Sequence, residues 1–256
     1  MRLILPEVER LKEYKMKNIL LTGVTQGLGL KTAKTLLEKG YRVYGVARRE
    51  VDEFSDLRSR YKDSFVLIQT DLADIEGSLK KIFHDTVGFD TPLHGFVNNA
   101  AMAYDDIISN LRYDPLLKMY QVNVFSPMMI TKNIIRNMLL HRVAGSIVHI
   151  SSISVHTGYK GLAMYASTKG ALEAFSKTTA REWGERGIRS NAIVAGFMET
   201  SMSSTLDIEQ KDRIYKRTSL KKPTSVQTIA NMIEFLLSDA STSITGANHY
   251  VDSGTI

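Results

Sequence analysis

The chain has 256 residues, 43% of them hydrophobic and 23% charged, with 17 Gly and only 5 Pro, a balance that suits one large α/β domain and leaves little room for long disorder. It has no cysteine and 6 His without metal-ligand spacing, which excludes disulfides, thiolate catalysis and cysteine-held zinc, and no metal site is expected. The net charge of +6 and pI of 9.3 come without any long basic run, so nucleic acid is not an expected partner, whereas an anionic cofactor or an acidic carrier protein fits.

Residues 1–15 are short, charged and amphipathic and read as an N-terminal extension; residues 16–256 read as one continuous domain. "LILP" is followed by the charged "EVERLKEYK", which lacks the apolar core of a leader, and no apolar run is long enough to span a bilayer, so a cytoplasmic place away from membranes is expected. "KNILLTG" reads as a buried strand and "LGLKTAKTLLEKG" as an amphipathic helix stopped at Gly40. The alternation continues through strand "YRVYGVA", strand "FVLIQT", a helix near "DIEGSLKKIFHDTV" and strand "LHGFVNNA". Next come a long helix through "MMITKNIIRNMLLH", strand "SIVHIS", helix "AMYASTKGALEAFSKTTAREWGE" and strand "IRSNAIV". A polar segment, helix "SVQTIANMIEFLLSD" and a last strand around "NHYVD" complete the chain. Seven strands alternating with helices predict a single Rossmann-like, doubly wound α/β domain: a seven-stranded parallel sheet with helices on both faces and right-handed crossovers. Ligands of such sheets bind beyond the carboxyl ends of the strands, where strand order reverses.

The first strand ends in "TGVTQGLG" and runs into a helix. Gly23, Gly27 and Gly29 let the backbone bend and approach a pyrophosphate, and Thr25, Gln26 and Leu28 place N–H groups at the helix start. A P-loop needs Lys directly after its last Gly, but Lys31 comes one place too late. The reading is dinucleotide binding, against a merely structural glycine turn. The second strand ends "VARR", with Ala47 where a carboxylate would select NAD. Arg48 and Arg49 suit a 2′-phosphate instead, which predicts NADP(H) rather than NAD(H), with Arg48 the main contact; two solvated loop arginines are the alternative.

Among 11 Tyr, only Tyr165 has Lys at the fourth following position, Lys169. Alone, the pair reads equally well as neighbours on a solvated helix face. Its surroundings decide. "TGVTQGLG", "NNAA", "VNVFSP", "IVHISSIS", "YASTK" and "GFMET" stand in the order and at the spacings of the classical short-chain dehydrogenase/reductases, and the resemblance covers about residues 17–256. Through "GFMETSM" and "SITGANHYVDSG" the chain is most similar to the 3-oxoacyl-[acyl-carrier-protein] reductase branch.

The resemblance implies the roles. Tyr165 would be the general acid that protonates the carbonyl oxygen. Lys169 would hold ribose hydroxyls and lower the phenol's pKa from its ordinary value near 10. Ser152 would hydrogen-bond the substrate oxygen, and the Asn123 carbonyl would bind a water leading from Lys169 to solvent. Asp71 and Leu72 would meet the adenine, and Asn98 would brace the central strands and, with Ala100, line the adenosine side. Gly196, Met198 and Thr200 would flank the nicotinamide. Ser154, His156, Tyr159 and Tyr104 would line the substrate pocket beneath a lid over residues 198–222 that includes Met202; His156 reads as a satisfied loop histidine more than as an extra acid or base. Three positions depart from the family pattern: Ala101 for Gly, Ala195 for Pro and Ser253 for Gly. A carrier-docking surface is half matched, by Arg186 and by Arg142 beside Val143. The implied activity is NADP(H)-dependent reduction of a carbonyl to a secondary alcohol. The substrate would be a 3-oxoacyl group on its carrier protein, or else a sugar, polyol or small ketone. A nicotinamide-sensing regulator on the same fold is the non-enzyme alternative. A homotetramer built from the two long helices and the last strand is also implied.

Overall fold

The computed structural model describes residues 16–200 and 207–255. The proposed extension 1–15 lies outside the described residues, as does Met202 of the proposed lid. Seven strands form the sheet: β1 (Asn18–Thr22), β2 (Arg42–Ala47), β3 (Phe65–Gln69), β4 (Gly95–Asn98), β5 (Ser146–Ser152), β6 (Arg189–Ala195) and β7 (Asn248–Val251). All pairs are parallel, in the order β3-β2-β1-β4-β5-β6-β7. Successive strands step one way from β1 and the other way from β4, so the reversal lies between the carboxyl ends of β1 and β4.

Side-chain alternation explains the two covered faces. Ile19 and Leu21 of β1 join α1 (Gly27–Glu38), α2 (Glu53–Tyr61) and α9 (Val226–Leu237) in one core; Leu20 joins α5 (Ser126–His141) in the other. All three β1 side chains are fully buried, and truncating any of them to Ala would cost roughly 2–5 kcal/mol. Helix α1 forms because Leu28, Ala33, Leu36 and Leu37 recur on one face. It stops where expected: Gly40 turns left-handed at φ +81° and its N–H returns to the Leu37 carbonyl.

The remaining helices are α3 (Ile75–Leu79), which continues as a π-helical stretch over Lys80–Val87, α4 (Tyr113–Tyr120), α6 (Ser154–Thr157), α7 (Ala163–Trp183) and α8 (Ile208–Arg217). Helix α4 passes into α5 through a π-helical turn, Gln121–Phe125, with Asn123 at its centre. Of the three departures from the family pattern, Ala101 keeps a negative φ, and Ala195 simply extends β6. Ser253 adopts φ +60°, a conformation that costs a non-glycine residue about 1 kcal/mol.

Candidate active site

The carboxyl ends of β1, β2 and β3 place the proposed nucleotide residues along one edge. After Thr22 the chain turns through Gly23 (φ +76°) and Gly27 (φ +54°). Gly29 is required for space: a Cβ there would stand 1.9 Å from the Gly23 carbonyl oxygen. Gln26 occupies the N-cap of α1 without a side-chain cap bond, and no acidic residue lies in the first turn. The helix therefore presents its leading N–H groups to an anion, which fits a pyrophosphate. Leu28 turns its side chain into the core, leaving only its backbone for a ligand. Thr200 closes on the same turn, its Cγ2 lying 3.3 Å from the position a Gly27 Cβ would take.

The "NNAA" segment holds the turn from the β4 side. Thr22 Oγ1 accepts the N–H groups of Asn99 and Ala100, each at 3.1 Å, and Asn99 Nδ2 donates to the carbonyls of Thr22 (2.9 Å) and Gly23 (3.1 Å). Asn98 points elsewhere: its Nδ2 meets His149 Nδ1 at 3.3 Å in the interior, bracing β4 against β5. Sequence reasoning thus missed Asn99, although neighbours at a strand end face opposite ways and the second Asn was the signal for it. Arg48 and Arg49 are exposed just beyond β2. Beyond β3, Asp71 caps its own turn through the Ala73 N–H at 3.0 Å, and Leu72 is buried.

Ser152 ends β5. Its Oγ accepts from the Ser154 N–H (3.2 Å) and is 3.0 Å from the Ser154 hydroxyl. With its lone pairs engaged, the Ser152 proton is available to a substrate oxygen. Lys169 packs onto the same strand end: its Nζ donates to the Ile150 carbonyl at 2.8 Å and lies 5.6 Å from the centre of the Tyr165 ring. An ammonium carries three donors, so this buried cation fits ribose hydroxyls. Asn123 ties the neighbouring elements together. Its Oδ1 accepts the Met102 N–H and its Nδ2 donates to the Met102 carbonyl, both at 2.9 Å. The same Nδ2 donates to Thr168 Oγ1 at 3.1 Å, and Thr168 in turn donates to the Tyr165 carbonyl at 2.7 Å. The π turn loosens the regular helical ladder at this residue, as such turns do at functional sites.

The pocket residues are not all gathered. Tyr159 is half-buried, and the Tyr104 hydroxyl accepts the Arg112 N–H at 3.2 Å. His156 instead directs its Nε2 to Glu173 at 3.0 Å and its ring edge to Tyr250, the satisfied state. Gly196 packs against the end of β7, where a Cβ would meet the Asp252 backbone at 2.5 Å. Met198 packs on the core beneath the nucleotide edge. Arg142 and Arg186 stand at the amino-terminal ends of β5 and β6, opposite the edge that carries Ser152; a seven-residue strand spans about 23 Å.

The electrostatics differ from the sequence-based expectation. Burial, helped by the charge of Asp105, pushes the Tyr165 phenol up to about 12, whereas Lys169 was expected to lower it. Burial brings Lys169 itself down to about 8, so it remains mostly an ammonium at neutral pH. Elsewhere, burial depresses His149 to about 3 and His94 to about 4. The unfolded chain takes up these protons below its ordinary pKa near 6.5, while the folded chain refuses them until far lower. Stability should therefore fall from pH 6.5 down to about 4 for His94 and about 3 for His149, by about 2 kcal/mol per histidine at pH 5. Urea unfolding at pH 7.5 and 5 checks this: the His94→Asn/His149→Asn variant should lose most of the slope, and an unchanged slope would refute the assignment.

The family model described as enoyl-(acyl carrier protein) reductase matches residues 23–255. The 3-oxoacyl-[acyl-carrier-protein] reductase of Escherichia coli is 32% identical over 243 residues, covering 94% of this chain and 98% of that one. The chain belongs to the short-chain dehydrogenase/reductase family. As a member it is an NAD(P)-dependent oxidoreductase on a seven-stranded Rossmann-like fold. Carbonyl reductase [NADPH] 2 of Sus scrofa is similar to it at 34% identity over 237 residues, covering 92% of this chain and 94% of the relative. The NADP-bound structure of ElxO superposes with a TM-score of 0.85 at 28% identity, covering 94% of this chain and 98% of that one. Among the described residues no helix is long and apolar enough to cross a membrane, and no cluster of His, Asp or Glu could hold a metal.

Proposed function

We propose that the enzyme reduces a ketone to a secondary alcohol with NADPH, Tyr165 delivering the proton. One observation carries the reading: a buried ammonium, Lys169, lies one helical turn from the half-buried phenol of Tyr165 and is anchored to the strand end that bears Ser152. When bound, reduced nicotinamide supplies a hydride. The protein's part is orientation and proton delivery. Ser152 donates its proton to the carbonyl oxygen and fixes it beside Tyr165. As negative charge grows on that oxygen, the Tyr165 O–H transfers its proton to it. A phenol near 12 gives its proton readily to an alkoxide, whose conjugate acid is about as weak as water at 15.7. Lys169, still charged, stabilises the phenolate left behind, and Asn123 holds the loop and helix that frame it.

NADP(H) is the proposed cofactor, held by the Gly23–Gly29 turn, Asp71, Leu72, Ala100 and Thr200. The relatives named for NADPH and NADP support it, as do Arg48 and Arg49 beyond β2. Arg48→Ala should weaken NADPH binding about 10–100-fold, the value of a charge-assisted bond to phosphate, and leave NADH binding unchanged. Fluorescence titration of both nucleotides checks this, and equal losses for the two would refute it.

For the substrate, the acyl-carrier relatives favour a 3-oxoacyl thioester. A second reading, a small free ketone, gains from the Sus scrofa relative and from Arg142 and Arg186 lying on the far edge of the sheet, where a carrier seated on the same chain would not face Ser152. Initial rates with acetoacetyl-carrier protein, acetoacetyl-CoA, keto sugars and cyclic ketones separate them. Preference for the carrier-bound thioester supports the first, and activity confined to free ketones supports the second. A tetramer through the α5 and α7 helices and β7 is proposed on the family resemblance.

A further inference from the structure

Behind the Tyr165–Lys169 face, one turn further along α7, sits a carboxylate the reaction above does not use. Glu173 is nearly enclosed, its side chain 9% exposed. Four hydrogen bonds converge on it. Ser151 Oγ donates to Oε1. His156 Nε2 approaches both oxygens, at 3.2 and 3.0 Å, and Asn248 Nδ2 donates to Oε2 at 2.6 Å. The outer nitrogen of His156 lies 3.5 Å from the Tyr250 hydroxyl. One carboxylate therefore joins the end of β5, helix α6, helix α7 and strand β7.

The arrangement has a geometric consequence. Ser151 precedes Ser152, and its hydroxyl also lies 3.5 Å from the Lys169 carbonyl. Residues 165, 169 and 173 recur every fourth place and share one helix face. Fixing Glu173 against Ser151 sets the register between the helix carrying the proton donor and the strand carrying its partner. A displacement of about 1 Å between the two can cost about 10²-fold in rate. A buried carboxylate with all its lone pairs engaged resists that displacement, because breaking the set leaves charge unpaired in the interior.

We infer that Glu173 is a positioning residue which, through Ser151, His156 and Asn248, holds Ser152 in register with Tyr165. This rests on the carbonyl-reducing reading of the site. In Glu173→Gln the charge-assisted contact to Asn248 is lost, because the amide NH₂ finds an acceptor there only if the Asn248 amide turns over. In Glu173→Gln/Asn248→Asp that contact is restored with the polarity reversed, while Oε1 still serves Ser151 and His156. The experiment measures kcat and KM on the most active ketone, and NADPH affinity by fluorescence titration, for both variants beside Ser151→Ala and Tyr165→Phe. Glu173→Gln should lower kcat about 10–100-fold with KM and NADPH affinity within threefold of wild type, and the exchanged pair should recover most of the loss. Ser151→Ala, which removes the bond to Glu173 and the long contact to the Lys169 carbonyl, should lower kcat in the same way, and it carries the test if Glu173→Gln does not fold. Wild-type kcat in Glu173→Gln, or in Ser151→Ala if that alone folds, overturns the assignment; so does a loss the exchanged pair fails to recover. If Tyr165→Phe is inactive in those cases, the reaction itself still stands. An active Tyr165→Phe instead removes the reaction, and the role of the clamp with it.

Discussion

Tyr165→Phe should lower kcat by about 10²–10⁴-fold, the range a positioned general acid contributes, while NADPH binds as in wild type. The substitution removes one hydroxyl and leaves the ring that Lys169 approaches at 5.6 Å, so the fold has little reason to change. Burial holds the proton on this phenol up to about 12, and without it the developing alkoxide has no positioned donor at that place. The rate should not recover at any pH between 6 and 9, because the missing group has no substitute at that position. Turnover within fivefold of wild type in the folded variant would exclude Tyr165 as the donor.

Gly29→Ala should abolish nucleotide binding, raising the NADPH Kd by about 10²-fold or more. The new methyl would lie 1.9 Å from the Gly23 carbonyl oxygen and 2.6 Å from Asn99 Nδ2, and the first of these is backbone that cannot swing aside. The turn must open, which breaks the bonds that Asn99 Nδ2 makes to the Thr22 and Gly23 carbonyls and displaces the leading N–H groups of α1. Overpacking of this kind also costs about 1–3 kcal/mol of stability. Gly184→Ala is the matched control. A Cβ there meets nothing within 4 Å and its φ is an ordinary helical −58°, so binding and activity should stay at wild-type levels. NADPH affinity within threefold of wild type in Gly29→Ala would contradict the close approach at this turn.

The seven strands and their carboxyl-end loops were legible in the sequence because apolar runs such as Ile19–Leu21 and Ile147–Val148 are buried on both sides of a parallel sheet. The helices that went unpredicted are short or commit little to the core: α2 buries only Phe54 and Leu57, α4 only Met119 among its hydrophobic residues, α6 spans four residues, and α8 buries nothing. The π turn at Asn123 changes the helical period by one residue within "QVNVF", too small a shift for an apolar pattern to register. At the site, Ser152, Tyr165 and Lys169 were expected from the family resemblance, and the fold brings Lys169 onto the strand that ends in Ser152, with its ammonium beside the Tyr165 ring. The direction of the Tyr165 shift could not be read from the sequence, because it depends on how much of the helix face is buried, a property of the assembled domain. Glu173 was invisible for the same reason. Its partners come from positions 151, 156 and 248, and only the packing of β5, α6, α7 and β7 brings them together. Asn98 and Asn99 illustrate the intermediate case, where the motif was evident but the division of labour within it was not.

The central claim is that hydride and proton meet at one carbonyl held between Ser152 and Tyr165. Incubating the enzyme with NADPH deuterated at C4 of the nicotinamide and a panel of acetoacetyl thioesters, keto sugars and cyclic ketones, then taking the mass spectrum of the products, tests it most directly. The account predicts that at least one member becomes a secondary alcohol with a single deuterium on its carbinol carbon, and that Tyr165→Phe yields almost none of it. An enzyme that binds NADPH yet labels no carbinol carbon in any of these ketones, or labels one equally well without the Tyr165 hydroxyl, would contradict it.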